Sequence, residues 1–164
     1  MLKTAAGKVE SIVFGPKRII ESINIIVDKQ EKAINLIDEK DTDVKSLSRD
    51  KIVSLLHQSG LWGVLREFPF NNIPESDTFP PSIYVTVDFD EPYMPESNIY
   101  LKDKLEEFKL GVSVLKKLCD GNINIGVSEQ NDAVASELGE LVTHRLSGDY
   151  PANSGGVYLY HNKT

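Results

Sequence analysis

The chain opens with two short runs rich in branched apolar residues, which together predict a β-hairpin. Residues 8–14 alternate valine and serine with larger apolar and charged positions, and residues 18–28 are rich in isoleucine and valine. Between the two runs, Gly15-Pro16-Lys17 favours a turn, because glycine permits unusual backbone angles and proline fixes one. A hairpin alone is only marginally stable in water, so we expect these strands to be part of something longer.

A polar stretch separates this hairpin from a strongly patterned region. Residues 29–47 are mostly charged and are interpreted as a linker. Residues 48–59 predict a helix, with Ser48 as its N-cap, apolar residues on one face and Gly60 as its C-terminal stop. Three prolines within residues 71–81 predict a loop.

From residue 82 onward, the apolar pattern alternates between strands and helices. Residues 82–89, 122–127 and 142–146 are typical of short strands, and residues 98–119 predict one long helix. Residues 128–141 predict another helix with Ser128 as its N-cap, while residues 157–161 predict either a strand or the start of a helix. This alternation favours a parallel sheet covered by helices, so residues 48–164 are predicted to form an α/β domain.

Composition narrows the classes of function. The chain has 164 residues, enough for one domain with a small appendage, and a net charge of −7 disfavours a nucleic-acid or lipid-headgroup binder. A single cysteine excludes a disulfide framework and multi-cysteine metal or iron–sulfur sites. No apolar run approaches the roughly 20 residues of a membrane span, and the N-terminus does not resemble a signal peptide. Any role at a membrane would then be peripheral.

Candidate ligand-binding positions follow the predicted strands. Parallel sheets bind ligands beyond the carboxyl ends of their strands, which here present Asp88, Asp90 and Glu91, and then residues 128–130. The alternative is that these are ordinary solvated loop residues. No glycine-rich phosphate motif follows any strand, so dinucleotide binding by the usual route is disfavoured.

Histidine and cysteine give little indication of catalysis. His57, His144 and His161 have no histidine or cysteine at helical spacing, so no metal site is predicted, and we expect structural roles for them. Cys119 lies near the end of the predicted long helix, where the helix dipole raises a thiol pKa, and we expect an unreactive thiol. No catalytic residues are predicted.

Two segments are candidate contact surfaces. Trp62, Arg66 and Phe70 fall within one aromatic segment, and tryptophan and arginine are favoured at interface hot spots. The alternative is a core segment with Arg66 in a structural ion pair. The loop at residues 150–156 contains Pro151, Gly155 and Gly156, and the paired glycines suggest either a backbone anion nest or a plain tight turn. The candidate contact residues of the two segments are therefore Trp62, Arg66, Phe70, Pro151, Gly155 and Gly156.

Three segments, in order, resemble the A subunit of the sodium-translocating NADH:quinone oxidoreductase. They are residues 7–27 (GKVESIVFGPKR to SINIIV), 59–74 (SGLWGVLREFPFNNIP) and 150–159 (YPANSGGVYL). Phe108, Gly111, Val114 and Leu115, together with Val85-Thr86 and Pro92, also match that family's pattern. The resemblance covers nearly the whole chain, and the family protein is longer, so the chain resembles an internal fragment.

The resemblance implies a peripheral subunit on the cytoplasmic face of a bacterial inner-membrane complex. That complex couples NADH oxidation and ubiquinone reduction to sodium export, using FAD, FMN, riboflavin and iron–sulfur centres. For this chain it implies no bound cofactor, a scaffolding or docking role, and a contribution to quinone binding. The implied fold is a small Rossmann-like three-layer domain (48–164), after a linker (29–47) and a hairpin (1–28) from a barrel-sandwich, biotinyl/lipoyl-like domain. The alternative function is an independent flavin- or nucleotide-binding α/β enzyme.

Overall fold

The computed structural model describes residues 6–30, 36, 43, 46–88 and 93–162. Most of the predicted linker, together with Phe89, Asp90, Glu91 and Pro92, lies outside the described residues. The predicted hairpin is confirmed: strand β1 (Gly7–Phe14) pairs antiparallel with strand β2 (Ile20–Val27).

The hairpin turn and its faces have two notable features. Pro16–Arg18 form one turn of 3-10 helix, in which Lys17 and Arg18 have left-handed φ angles of 56° and 61°. Large apolar side chains of both strands and the turn remain 41–64% exposed, namely Val9, Ile12, Val13, Phe14, Ile19, Ile20, Ile23, Ile26 and Val27.

Helix α1 (Arg49–Gln58) and the segment after it form a packed unit. The Ser48 side chain caps α1 by accepting from the Lys51 N–H, and Gly60 follows with φ 73°, as the sequence predicts. The 3-10 turn Leu61–Val64 then carries Trp62 into a core cluster, whose buried members are Leu47, Ile52, Val53, Trp62 and Leu118.

The predicted α/β organisation is confirmed by a three-stranded parallel sheet. Strands β3 (Ser82–Thr86), β4 (Asn122–Ser128) and β5 (His144–Leu146) lie in that order, so β4 is central. Apolar residues of β4 pack with helices α2 (Ser97–Leu101), α3 (Leu105–Lys116) and α4 (Asp132–Leu138). The buried members of this cluster are Val87, Leu101, Ile125, Val127, Val134 and Leu138.

Helix α5 (Gly155–Asn162) packs where β4 presents a glycine. Side chains alternate between the two faces of a strand, so Gly126 lies on the face opposite Ile125 and Val127. A Cβ built on Gly126 would lie 3.0 Å from Cε1 of Tyr158 and 2.8 Å from Cδ1 of Leu146. The absent side chain therefore lets the buried Tyr158 of α5 approach the centre of the sheet.

The structure corrects two predicted helices. Residues 98–119 form not one helix but α2 and α3, separated at Asp103, whose φ of 59° cannot continue a right-handed helix. The next helix begins at Asp132 rather than Ser128, which belongs to β4, and its N-cap is Asn131. It ends at Gly139, with φ 55°, before a single 3-10 turn.

The last described segment is helical. Gly155 and Gly156 are the first residues of α5 instead of lying in a loop, and neither has the positive φ that an alternating backbone nest requires. Neither alternative for the paired glycines, a backbone anion nest or a plain tight turn, describes this helical start. Residues 157–161, predicted as a strand or a helix start, are helical.

Candidate functional site

A buried carboxylate lies where the strands of the sheet end. Asp88 follows β3, is 8% exposed, and accepts hydrogen bonds at both carboxylate oxygens. The Ser128 N–H donates to Oδ2 at 2.7 Å, and the Asn131 Nδ2 donates to Oδ1 at 2.8 Å. The Ser97 hydroxyl also donates to Oδ1 and accepts from Asn131 at 2.7 Å. One carboxylate thus connects the ends of β3 and β4 with the starts of α2 and α4.

The surroundings of Asp88 are polar and partly shielded from water. The Tyr100 hydroxyl donates to the Val87 carbonyl, and burial, followed by the negative charge of Asp88, raises the pKa of that phenol. Arg145 donates to the carbonyls of Ser128 and Glu129, both at 3.0 Å, and to Asp132 at 2.8 Å. The rim of the sheet is therefore fixed by bonds within the protein.

This arrangement has a chemical consequence for ligands. An anion bound at the end of a parallel sheet is held by backbone N–H groups and neutral polar donors. Here those donors are the Ser128 N–H, the Asn131 amide and the Ser97 hydroxyl, and all three already bind the carboxylate of Asp88. A phosphate at this position would meet a negative charge instead of open donors.

A second polar cluster joins α5 to the sheet. Tyr158 is 1% exposed, and its hydroxyl lies 2.9 Å from Nδ1 of His144, to which the Thr143 hydroxyl also approaches at 2.8 Å. The ring of Tyr84 meets that of Tyr158 edge-on at 5.2 Å. Burial raises the pKa of Tyr158, so the cluster holds a neutral phenol. Its place between β5 and α5 indicates a structural role for His144.

The aromatic segment divides into a buried and an exposed part. Trp62 is 6% exposed, its Nε1 donates to the Pro74 carbonyl at 2.9 Å, and its ring stacks on His57 at 5.0 Å. The core alternative therefore describes Trp62 best. Phe70, by contrast, is 79% exposed. Arg66 donates to the carbonyls of Gly63 and Leu65, so the hydrogen bonds shown for it go to backbone carbonyls rather than to a carboxylate.

The two candidate segments meet at one point. A Cβ built on Gly156 would lie 3.5 Å from Cε2 of Phe68, so the start of α5 contacts the loop that carries Arg66 and Phe70. Pro151 is exposed and its carbonyl accepts from the Ser154 N–H at 2.8 Å in the turn before α5. Five apolar side chains of the segment 61–73 are 45–79% exposed; we define the loop surface as Leu61, Val64, Phe68, Phe70 and Ile73.

The remaining candidates have structural environments. Cys119 is buried, and desolvation raises the pKa of its thiol. His57 contacts the Ser76 hydroxyl at 2.7 Å, and His161 lies edge-on to Tyr160. Within the described residues, no group of three or more histidine, cysteine, aspartate or glutamate side chains is placed to hold a metal ion.

Sequence reasoning finds part of this site. It places Asp88 and Ser128 at the same edge of the sheet, and the structure brings them into contact. It misses Ser97 and Asn131, because the apolar pattern assigns Ser97 to no element and places Asn131 inside a helix. The available indication is the run SEQN at residues 128–131, in which serine and asparagine are comparable N-caps.

Comparison with known families decides where this fold belongs. The family model described as "NqrA second alpha/beta domain" matches residues 47–164. The chain belongs to this family. The resemblance found in the second and third sequence segments is thereby confirmed, and the matched residues include the sheet, its helices and the loop surface.

Relatives extend the similarity to the hairpin. Proteins named as the A subunit of Na(+)-translocating NADH-quinone reductase are 31% identical to the chain in Histophilus somni strain 129Pt, over 156 residues, and 30% identical in Rhodopirellula baltica, over 158 residues. The relative from Neisseria gonorrhoeae strain ATCC 700825 is 30% identical over 156 residues. These matches cover 95–96% of this chain but only 35% of each relative.

The helices of the domain are short compared with the thickness of a bilayer. None of those within the described residues is both long and apolar enough to cross a membrane.

Proposed function

We propose that this chain is the α/β part of a peripheral subunit of a sodium-translocating NADH:quinone reductase, in which it acts as a scaffold that docks partner subunits. The choice of complex follows from the names of the relatives given above. The docking role depends on the exposed apolar side chains of the loop surface. The complex would couple NADH oxidation and quinone reduction to sodium export. The subunit would lie at the cytoplasmic face of the inner membrane.

The exposed loop surface supports docking more than catalysis. Its five apolar side chains lie in or beside the 59–74 segment that resembles the family, and Phe70 is 79% exposed. Contiguous exposed apolar side chains on a soluble protein commonly mark an interaction surface. At the edge of the sheet, Asp88 occupies the donors that a nucleotide phosphate would need, which argues against an independent flavin- or nucleotide-binding enzyme.

The domain organisation belongs to the same proposal. The α/β domain would extend over residues 48–164 and be Rossmann-like, with α5 on one face of the sheet and the other helices on the opposite face. The hairpin at residues 1–28 would be part of a barrel-sandwich domain, joined through residues 29–47. The exposed apolar side chains on β1 and β2 agree with strands whose partners lie elsewhere in the subunit.

Quinone contact is proposed at the loop surface, where the aromatic rings of Phe68 and Phe70 are accessible and Phe68 lies next to Gly156. Pro151 and Gly155, in the segment that leads to Gly156, are exposed and belong to the same proposal. An apolar ring surface suits a quinone headgroup and its isoprenoid tail, whose binding needs burial of apolar area. No cofactor is assigned to the chain itself; the NADH, FAD, FMN, riboflavin and iron–sulfur sites of the complex would lie on its other parts, and this chain would contribute to the ubiquinone site.

The docking role predicts that Phe70→Ala weakens assembly. Removing a largely exposed ring should leave the fold intact, with a melting temperature within about 2 °C of the parent, since exposed substitutions rarely change stability by more than about 0.5 kcal/mol. The full-length native subunit carrying this change is isolated by affinity from detergent-solubilised membranes. Recovery of the other subunits should fall at least about fivefold, as for loss of an interface anchor of about 1 kcal/mol.

Ile99→Ala is the matched control. Ile99 is 65% exposed on α2, away from the loop surface, so its loss removes similar apolar area without touching the docking segment. Unchanged recovery with Phe70→Ala would reject the loop surface as the docking site. A parent subunit that is recovered alone, and that is thermally stabilised by NADH or flavin, would reject the docking subunit in favour of a nucleotide-binding enzyme.

A further inference from the structure

The central strand of the sheet has an open edge at its beginning. β5 pairs with β4 only over the last three residues of β4, from Gly126 to Ser128. Just before them, Ile125 bonds toward the β5 side, since its carbonyl accepts from the Thr143 N–H at 2.9 Å and its own N–H donates to the Thr143 hydroxyl at 2.7 Å. Backbone groups of alternate residues point to the same edge, so those of Ile123 point to this side too. No strand of the described residues pairs with Ile123 there.

Helix α3 and the beginning of β4 line a surface groove, together with Leu141 and Thr143. The groove has a volume of about 500 Å³, and its apolar floor comes from Val112, Ile123 and Leu141. Lys109 and Lys116 lie on the α3 wall with Val112 between them. Positions three, four and seven apart share one helix face, so both ammonium groups flank the apolar centre of the groove.

We propose that this groove binds an extended acidic peptide segment of a partner polypeptide, which adds to β4 as a short strand. A strand edge opposed by a helix is a common receptor for such segments, because backbone hydrogen bonds give affinity and side-chain pockets give specificity. The N–H and C=O of Ile123 would bond to the peptide backbone. Val112 and Leu141 would contact an apolar side chain of the peptide.

Charge selects the occupant. The whole chain carries a net charge of −7, but two lysines of α3 line this groove together with apolar residues. The groove is therefore locally basic on an acidic protein. Lys109 contacts Glu106 at 2.8 Å and Lys116 donates to the Gly121 carbonyl. An ammonium group has three N–H donors, so each lysine can keep that bond and still donate to a peptide carboxylate. The two lysines are seven residues apart, about 10 Å along the helix, which about three extended residues span.

The inference rests on the docking role in one respect only: a partner polypeptide supplies the segment. The groove consists of residues other than those of the loop surface, so the two surfaces can be tested separately. Binding of a synthetic peptide to the purified chain does not depend on the rest of the complex.

The test uses a fluorescein-labelled peptide of alternating glutamate and valine, followed by fluorescence polarisation. The acidic peptide should bind, and a peptide of alternating lysine and valine should not. Lys109→Glu with Lys116→Glu should weaken binding at least about tenfold, since two favourable charge contacts are lost and the new carboxylates repel the peptide. Lys109→Glu and Lys116→Glu are also measured singly, and Lys102→Glu is the matched control for each, because it makes the same change of charge at one exposed residue outside the groove.

Strand addition has a separate signature in the peptide backbone. N-methylation of single peptide residues removes one N–H at a time, and binding should fall only at the residue whose N–H bonds to the Ile123 carbonyl. Equal binding of the basic peptide, equal loss with Lys102→Glu, or no effect of N-methylation at any position would overturn the proposal.

Other occupants give different results. If the chain self-associates and the acidic peptide inhibits that association, the groove binds a second copy of the chain. The proposal of a partner polypeptide would then be overturned. A longer form of the subunit that no longer binds the peptide would assign it to the subunit's own polypeptide, with the same consequence. Peptide binding, together with a native subunit that is recovered from membranes without any partner subunit, would keep the groove while rejecting the docking role; assembly without peptide binding would do the reverse.

Discussion

At the scale of single residues, Asp88 holds the edge of the sheet together by accepting from Ser97, Ser128 and Asn131. Asp88→Ala removes the acceptor of the Ser128 N–H and the Asn131 amide and leaves both donors partly buried without it. Each unsatisfied buried donor costs about 1–3 kcal/mol, so the free energy of unfolding should fall by about 2–4 kcal/mol. Urea unfolding followed by the fluorescence of Trp62, the single tryptophan of the chain, measures this change.

A neighbouring carboxylate provides the control for this residue. The Asp132 side chain is 88% exposed and pairs with Arg145 at 2.8 Å. Exposed ion pairs contribute little, so Asp132→Ala should lower the free energy of unfolding by less than about 1 kcal/mol. If both substitutions lower the free energy of unfolding equally, the bonds around Asp88 contribute no more than a surface ion pair. The interpretation that these bonds fix the rim of the sheet would then be wrong.

At the scale of elements, substitution of two glycines should change the stability of the protein in opposite directions. Gly126 lies where α5 packs on the sheet, and Gly111 lies within α3. Gly126→Ala places a methyl 2.8 Å from Leu146 and 3.0 Å from Tyr158, so it should destabilise the protein by about 1–3 kcal/mol through overpacking between α5 and the sheet.

Gly111 lies within α3, where a Cβ would have nothing within 4 Å, and Gly111→Ala should stabilise the protein by about 0.5–1 kcal/mol through helix propensity.

The two glycine substitutions are compared in the same urea unfolding experiment. Opposite signs would confirm that α5 approaches β4 through the gap at Gly126. A neutral or stabilising Gly126→Ala would show that α5 does not pack against the sheet as closely as described.

The elements also show how far sequence reasoning reaches. The order of strands and helices follows from apolar spacing, and Ser48 and Gly60 mark the ends of α1 because capping is local. The break at Asp103 escapes prediction because its left-handed φ interrupts a three- and four-residue spacing that continues on both sides. The contacts of Asp88 are only partly predicted, since Ser128 lies 40 residues away in sequence and its N–H carries no side-chain pattern.

Across the whole molecule, buried apolar residues are concentrated after the hairpin. Both core clusters consist of residues from Leu47 onward, and the apolar side chains of β1 and β2 belong to neither. Their exposure on both faces of the hairpin is not explained by any contact within the described residues. The stability of the α/β part should therefore depend on the sheet, its helices and the cluster around Trp62.

This organisation predicts that removal of residues 1–45 leaves the unfolding of the remaining chain nearly unchanged. Since the clusters contain no residue of β1 or β2, the urea midpoint reported by Trp62 fluorescence should shift by less than the equivalent of about 0.5 kcal/mol, as for a surface change. The intact chain measured under the same conditions is the reference. A loss of more than about 1 kcal/mol would mean that the hairpin packs on the α/β domain, and that the boundary proposed near residue 48 does not separate two independently stable parts.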